Sequence, residues 1–513
     1  MKLSITNAII VCITLFSCTY SRNDPKDTLP DPIIQSGVAK VSGRITNHWR
    51  NVDNKNLTVS LHYPNPVTAD ISQFETGVDE KGYFHFEVPV ESNFNIGILR
   101  IFADTRYYKN TAVGVVSGEE TTINITYDEE GDITVKMESS LPLASGDITN
   151  FGKTMTETRE YRPSDWPCNY TEDPDEFAEY SILFLKKKLE YLDRDSMLLS
   201  KNGKNYISNE IKLLYLNHAL FDWEFSMVGN YVRCKNAEDS DFHPSTPSIS
   251  YFSFLKYFNL NNPQYLYNFE YPNILQLILS DTILGVSSIG NTMAEDWLEK
   301  VKTTMAGLIG SDSGLFYDML TAHAYVKQLN DELTPLSDIQ KENIKNYFQD
   351  RNEEIVKILL RKNEEIVQLA EGKTALAVNK TPNVPREKLM DSIISKYQGK
   401  VVIIDFWATW CGPCLDAMKQ YRGVKGGLKD KNIVFVYITN GSSPQKRWEE
   451  QIKGIGGEHY YVNSDEWEYW METFNFIGIP SYVIFDTKGA LRHQFTGYPG
   501  NDKMLTMIEN LLP

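Results

Sequence analysis

Cysteine is scarce in this chain: six in 513 residues, with Cys12 and Cys18 both close to the N-terminus. Histidine is scarce as well, eight in all and scattered, so neither paired histidines nor a second Cys-x-x-Cys completes a four-ligand zinc site with Cys411 and Cys414. Haem attachment through that motif would want a histidine at position 415, which is Leu415. Positive charge is in deficit, 51 Lys and Arg against 68 Asp and Glu, and the net charge of −17 excludes the broad basic face that nucleic acid requires. No apolar run is long enough to span a bilayer. Gly454-Ile455-Gly456-Gly457 lacks the preceding strand and the spacing of a phosphate loop and reads as a turn. What is there is globular: 42% hydrophobic and 23% charged residues, in a length that suits about three domains.

Lys2 followed by the apolar stretch Ile5 to Phe16 has the pattern of an export signal. Its end, Leu15-Phe16-Ser17-Cys18, resembles a bacterial lipoprotein box, although Phe16 is larger than usual there. That resemblance implies a signal peptide over residues 1–17 and Cys18 as the lipid-modified first mature residue. Residues 18–36, polar and proline-bearing, are then a tether. The chain is expected in the bacterial cell envelope, lipid-anchored, with periplasmic or surface exposure. The alternative is an ordinary cleaved signal with an incidental cysteine. Cys168, Cys234, Cys411 and Cys414 remain, an even number where disulfides persist, and Cys168 and Cys234 are a candidate structural pair.

The pattern predicts a multidomain chain. Residues 37–140 read as an antiparallel β-sandwich, with strands at Val41 to Ile45, Leu57 to Tyr63, Tyr83 to Val88, Ile96 to Phe102 and Thr122 to Tyr127. Asp79-Glu80-Lys81-Gly82 reads as a hairpin turn. Residues 150–374 read as an all-α region: Ile182, Leu185, Leu189 and Leu192 share one helical face, as do Leu213, Leu216, Leu220 and Trp223. A helix opens at the capping box Ser337 to Gln340. The eleven-residue recurrence of Ile344, Ile355 and Ile366, and of Phe348, Leu359 and Ala370, predicts one nearly straight helix ending at Gly372.

Chemistry concentrates in residues 375–513. Val401 to Phe406 is an apolar strand interrupted by Asp405; a turn through Trp410 leads to Cys411-Gly412-Pro413-Cys414, which opens a helix. A cysteine at a helix N-terminus has unpaired N–H groups and the positive end of the dipole beside it, which favours thiolate. Pro413 lacks an N–H that the first turn would leave unpaired anyway.

Trp-Cys-Gly-Pro-Cys after such a strand resembles the thioredoxin superfamily. Asp405 stands where that family keeps a buried acid, Ile479-Pro480 where it keeps a cis-proline facing the cysteines, and Gly497 where it has a glycine after the last strand. The longer stretch from Ile438 to Phe474, with a helix near Pro444 to Lys453 and a strand at Tyr460 to Asn463, is similar to the insertion of TlpA/ResA-like envelope oxidoreductases. The β-region resembles the N-terminal domains of such lipoproteins in Bacteroidetes-type bacteria. Thioredoxin has a lysine on its central strand near the buried acid, whereas Ile433 to Thr439 has none.

The resemblance implies an α/β thioredoxin-like fold and a thiol–disulfide oxidoreductase, with Cys411 as nucleophile, Cys414 as resolving thiol and Asp405 as its proton acceptor. Trp410, Gly412, Pro413, Ile479 and Pro480 would meet substrate. No cofactor or metal is called for. Expected partners are disulfide-bearing envelope proteins as substrates and a membrane electron donor. Two alternatives stay open: a lipoprotein that binds a partner or glycan and uses the thioredoxin-like unit for docking, or an isomerase or oxidase on the same site.

Overall fold

Alternation with period two runs along Tyr83–Ser92, where Phe84, Phe86, Val88 and Val90 are buried between exposed neighbours. This is the signature of a strand with one face on a core. The computed structural model describes residues 29–46, 57–103, 106–128, 132–141, 143–162, 168–194, 199–235, 242–370, 375–428 and 431–512. Cys18 and the expected signal peptide lie outside the described residues, as does Gly372.

The N-terminal region holds strands β1 (Ile34–Thr46), β2 (Leu57–Pro64), β3 (Ile71–Gly77), β4 (Tyr83–Ser92), β5 (Phe94–Ala103), β6 (Arg106–Val116), β7 (Glu120–Tyr127) and β8 (Ile133–Glu138). They form two four-stranded sheets, ordered β4-β1-β7-β8 and β3-β2-β5-β6. The sheets are not wholly antiparallel, because β1 and β7 pair in parallel from Lys40↔Glu120 to Thr46↔Thr126. Nor is Asp79–Gly82 a hairpin turn: β3 pairs with β2 and β4 with β1, so the turn carries the chain from one sheet to the other. Gly82, at φ +90°, supplies the left-handed residue this needs. The expected tether ends early. Leu29 is buried, Pro30 accepts hydrogen bonds from Gln264 and Tyr267, and β1 has already begun at Ile34.

The middle region is helical, and its core is continuous with part of the β-region: Ile34, Val67, Phe94 and Ile96 pack with Tyr267, Phe316 and Leu359 in one cluster. Leu185 and Leu192 are buried on the helix Pro174–Leu192, as their spacing predicts. The run through Leu213 and Trp223 is not one α-helix, since a π-turn (Leu216–Phe221) separates Lys201–Tyr215 from Trp223–Lys235. Ser337 and Gln340 form the capping box.

The expected long straight helix is two, Asp338–Phe348 and Glu353–Ala370. Asn352 breaks it: its side-chain oxygen accepts the Glu354 N–H at 3.1 Å and starts a new helix, while Ile344, Phe348, Ile355, Leu359 and Ile366 are buried on both sides of the break. A disulfide joins Cys168 to Cys234.

The C-terminal region adds β9 (Leu376–Asn379), β10 (Val401–Phe406), β11 (Ile433–Asn440), β12 (Gly457–Val462), β13 (Ser481–Phe485) and β14 (Leu491–Thr496) in one sheet ordered β14-β13-β10-β11-β12-β9. Strand β10 is buried throughout, which explains why all its residues but Asp405 are apolar. It pairs in parallel with β11 and antiparallel with β13. Val401 and Ile403 face the core that includes Cys411 and Cys414, whereas Val402, Ile404 and Phe406 face the opposite core. The insertion helix Gln445–Ile455 packs against the π-turn Gln328–Glu332 of the middle region. Gly454 makes that approach possible: a Cβ there would stand 2.5 Å from the Asp331 carbonyl oxygen. Among the described residues no helix is long and apolar enough to cross a membrane.

Candidate active site

Strand β10 ends at Phe406, and the turn that follows is held from several sides. The Trp407 N–H donates to the Ile438 carbonyl at 3.0 Å, and the Cys411 N–H donates to the Ala408 carbonyl at 3.0 Å. The Thr409 N–H donates to Ser443 Oγ at 3.0 Å, and the exposed Trp410 indole donates to Ser442 Oγ at 3.2 Å. Ser442 and Ser443 brace the turn, yet nothing in the sequence singled them out, because contacts more than thirty positions apart leave no local pattern.

Cys411 is the N-cap of the helix Gly412–Gly427, with Pro413 in its first turn. Its sulfur accepts the Cys414 N–H at 3.2 Å, the N-terminal donor a thiolate would use. The two cysteines are joined in a disulfide, so this is the oxidised state of the pair. Cys411 retains 4% exposure against 0% for Cys414, which makes Cys411 the sulfur nearer to solvent. Ile479-Pro480 is a cis peptide, directly before β13, and the Gly497 N–H donates to the Pro480 carbonyl at 2.8 Å. Ile477, 93% exposed, leads into that segment.

Asp405 continues the side of β10 that faces the cysteines, because side chains alternate along a strand. Its register partners are Tyr437 on β11 and Tyr482 on β13, and both pack in the same core as Cys411 and Cys414. Burial pushes its carboxyl up to about 8, against the opposing effects of the Lys425 ammonium and a hydrogen bond with Tyr482. One carboxyl oxygen has no hydrogen-bond partner among the described residues. Burial likewise raises the hydroxyls of Tyr421, Tyr437 and Tyr482.

The strand that carries no lysine is β11, yet a lysine is present: Lys425, from the helix Gly412–Gly427, is buried with its Nζ 4.5 Å from the centre of the Tyr437 ring. The sequence reading missed it. Its spacing of eleven residues from Cys414, about three helical turns, is the signal that could have found it.

A buried acid on the central strand, a Cys-Gly-Pro-Cys helix, and a cis-proline before the next strand together mark a thioredoxin-like domain. Residues 399–491 match the Thioredoxin-like family model. Over 144 residues the chain is 26% identical to the thiol-disulfide oxidoreductase ResA of Geobacillus kaustophilus, covering 28% of this chain and 82% of that one. It is 35% identical over 57 residues to a thioredoxin of Coprinus comatus, covering 11% of this chain and 54% of the relative. Among solved structures, the thioredoxin domain of a thiol-disulfide oxidoreductase from Bacteroides vulgatus aligns at 18% identity and TM-score 0.21, over 23% of this chain and 84% of that one.

Proposed function

We propose that the chain is a reductase of protein disulfides in the bacterial cell envelope, held there by lipid on Cys18, with residues 375–513 as its catalytic unit. The observation that carries this reading is Cys411 at the helix N-cap with its sulfur accepting the Cys414 N–H. In the reduced enzyme the Cys411 thiolate attacks one sulfur of a substrate disulfide. A Cys411–substrate S–S bond forms, the substrate S–S bond breaks, and the first substrate thiolate leaves. Asp405 takes the Cys414 proton; the Cys414 sulfur then attacks Cys411 and expels the second substrate thiolate. Two electrons pass from the dithiol to the substrate, and the enzyme is left as the Cys411–Cys414 disulfide. Trp410, Gly412 and Pro413 flank the reacting sulfur, and the Ile479-Pro480 backbone pairs with an extended substrate segment.

The direction follows from the Gly412-Pro413 dipeptide, that of thioredoxin, whose potential is about −270 mV against about −120 mV for the oxidant DsbA. A reductant outside the cytoplasm needs re-reduction, hence a membrane electron donor near the anchor. Two measurements test the reading. Cys414→Ala in the full chain should accumulate mixed disulfides through Cys411, and Cys411→Ala far fewer; equal trapping by both would overturn the assignment of attacker and resolver. Redox titration against glutathione should give a potential near that of thioredoxin, and a value near that of DsbA would make the protein an oxidase.

A further inference from the structure

Resting on Cys411 as the attacking thiol, we propose that the helical region is a positioning partner of the redox site. Its π-turn Gln328–Glu332, with Leu333, seats the insertion helix Gln445–Ile455 and through it fixes the turn that sets the reactivity of Cys411.

The seat is backbone that costs energy to hold. A π-turn is rare, and Leu333, which ends this one, is buried in the left-handed region at φ +44°, where a branched side chain seldom stands. Gln328 holds the chain there: its side-chain nitrogen donates to the carbonyls of Thr334 and Pro335 at 3.3 and 3.2 Å, and its oxygen accepts from Gln340 at 2.7 Å. Asn330 donates to the Thr68 carbonyl of the β-region at 2.8 Å, so the turn is anchored from behind as well. Towards the insertion helix it presents the Asp331 carbonyl and the Leu333 side chain, which a Cβ on Gly454 would meet at 2.5 and 2.7 Å. Gly454, in the last turn of that helix, lets the two backbones close. Strained backbone of this kind persists only where its surroundings require it, and here they are the Gln328 bonds and the Gly454 contact.

The other end of the insertion helix reaches the redox turn. The helix begins just after Ser442 and Ser443, whose hydroxyls hold Trp410 and Thr409. Ser443 is itself fixed, with its Oγ 2.7 Å from that of Thr439 and its carbonyl accepting the Tyr461 hydroxyl at 2.6 Å. From the middle of the helix, the buried Gln451 side chain donates to the Thr409 carbonyl at 3.4 Å. Trp448, Ile452 and Ile455 pack in the core that holds Cys411 and Cys414. The helix Gly412–Gly427 is tied to the seated end, because Arg422 donates to the Gly454 carbonyl at 3.2 Å. Thr409 stands two residues before Cys411. A shift of the insertion helix therefore passes to the turn that brings the Cys411 sulfur to the Cys414 N–H.

The test uses the full chain in its reduced state, with iodoacetamide uptake at Cys411 followed against pH by mass spectrometry. Leu333→Ala cuts back the seat without altering residues 375–513, and Gly454→Ala lifts the helix from the other side. Loosening the turn weakens the N–H contact that favours the thiolate. The midpoint of uptake should therefore rise by about half a pH unit in both variants, and uptake at pH 7 should slow about threefold. Cys168→Ser, which loosens the helical region at another place, should leave the midpoint where it is. A midpoint unmoved in both seat variants overturns the inference, however far their melting temperatures fall. An equal rise in Cys168→Ser overturns it too, since the effect would then be general loosening. A wild type that takes the label at Cys414 and not at Cys411 removes the attacker assignment and this inference together. Iodoacetamide needs no disulfide substrate, so a wild type that reduces no disulfide ends the reductase reading and leaves the positioning result standing.

Discussion

Asp405→Asn tests the proposed mechanism at its proton-transfer step. With the carboxyl pushed up to about 8, about one molecule in eleven carries the carboxylate at pH 7 and about one in a hundred at pH 6. A positioned general base contributes roughly 10²- to 10⁴-fold when it is fully in its basic form. At pH 7, with about a tenth of it available, its loss should slow resolution about 10- to 1000-fold. The shape of the profile is as informative as its height. In the wild type the rate should climb about tenfold per unit up to pH 8 and then flatten as Asp405 becomes fully ionised. In Asp405→Asn the buried Cys414 thiol must lose its proton to solvent hydroxide, so the rate should keep climbing past pH 8. Single-turnover stopped-flow release of substrate thiol between pH 6 and 9 reads both features. Superimposable profiles for the two proteins would refute the role of Asp405 as base.

The same residue makes a stability prediction of defined sign. Burial raises the Asp405 pKa in the folded chain above its ordinary 3.8, so its contribution to stability is present below about pH 4 and is lost as pH rises through about 8. Asp405→Asn does not titrate and should gain about 5 kcal/mol on the wild type between pH 4 and pH 8, seen in calorimetry as a rise of the C-terminal melting transition at the higher pH. Cys168→Ser removes a disulfide with a sequence separation of 66, worth up to about 4 kcal/mol on the chain-entropy model. It should lower the melting of the helical region and leave insulin reduction intact, and two free thiols in non-reduced wild-type peptides would contradict the pairing. Gly454→Val would drive a side chain into the Asp331 carbonyl and should destabilise the contact between the insertion helix and the middle region by about 1–3 kcal/mol. A thermal unfolding curve identical to wild type would count against that contact.

Legibility in the sequence followed the range of the forces involved. The burial alternation of Tyr83–Ser92, the face of Pro174–Leu192, the Ser337 capping box and the β10 strand with its Cys411 helix were readable, because each rests on residues within a turn or two of one another. The π-turn at Leu216–Phe221 and the break at Asn352, where the side chain caps Glu354, escaped because apolar spacing runs unchanged through both. Sheet membership escaped for a different reason. Alternation marks a strand but not its neighbour, so neither the parallel β1–β7 pair nor the passage from β3 to β4 between sheets was visible.

At the site, the Cys411-Gly412-Pro413-Cys414 spacing and the lone acid Asp405 in an apolar strand were legible in the sequence, while Pro480 was legible only through the resemblance to thioredoxins. Tertiary structure alone decided what surrounds them. Ser442 and Ser443 reach the Trp410 turn from the far end of β11, and Lys425 reaches the ring of Tyr437, the register partner of Asp405, from the helix rather than the strand. Electrostatic and hydrogen-bonded partners are chosen by proximity in space, and a buried charge can draw its counter-charge from any element that packs against it. That choice is made only when the helix closes onto the sheet.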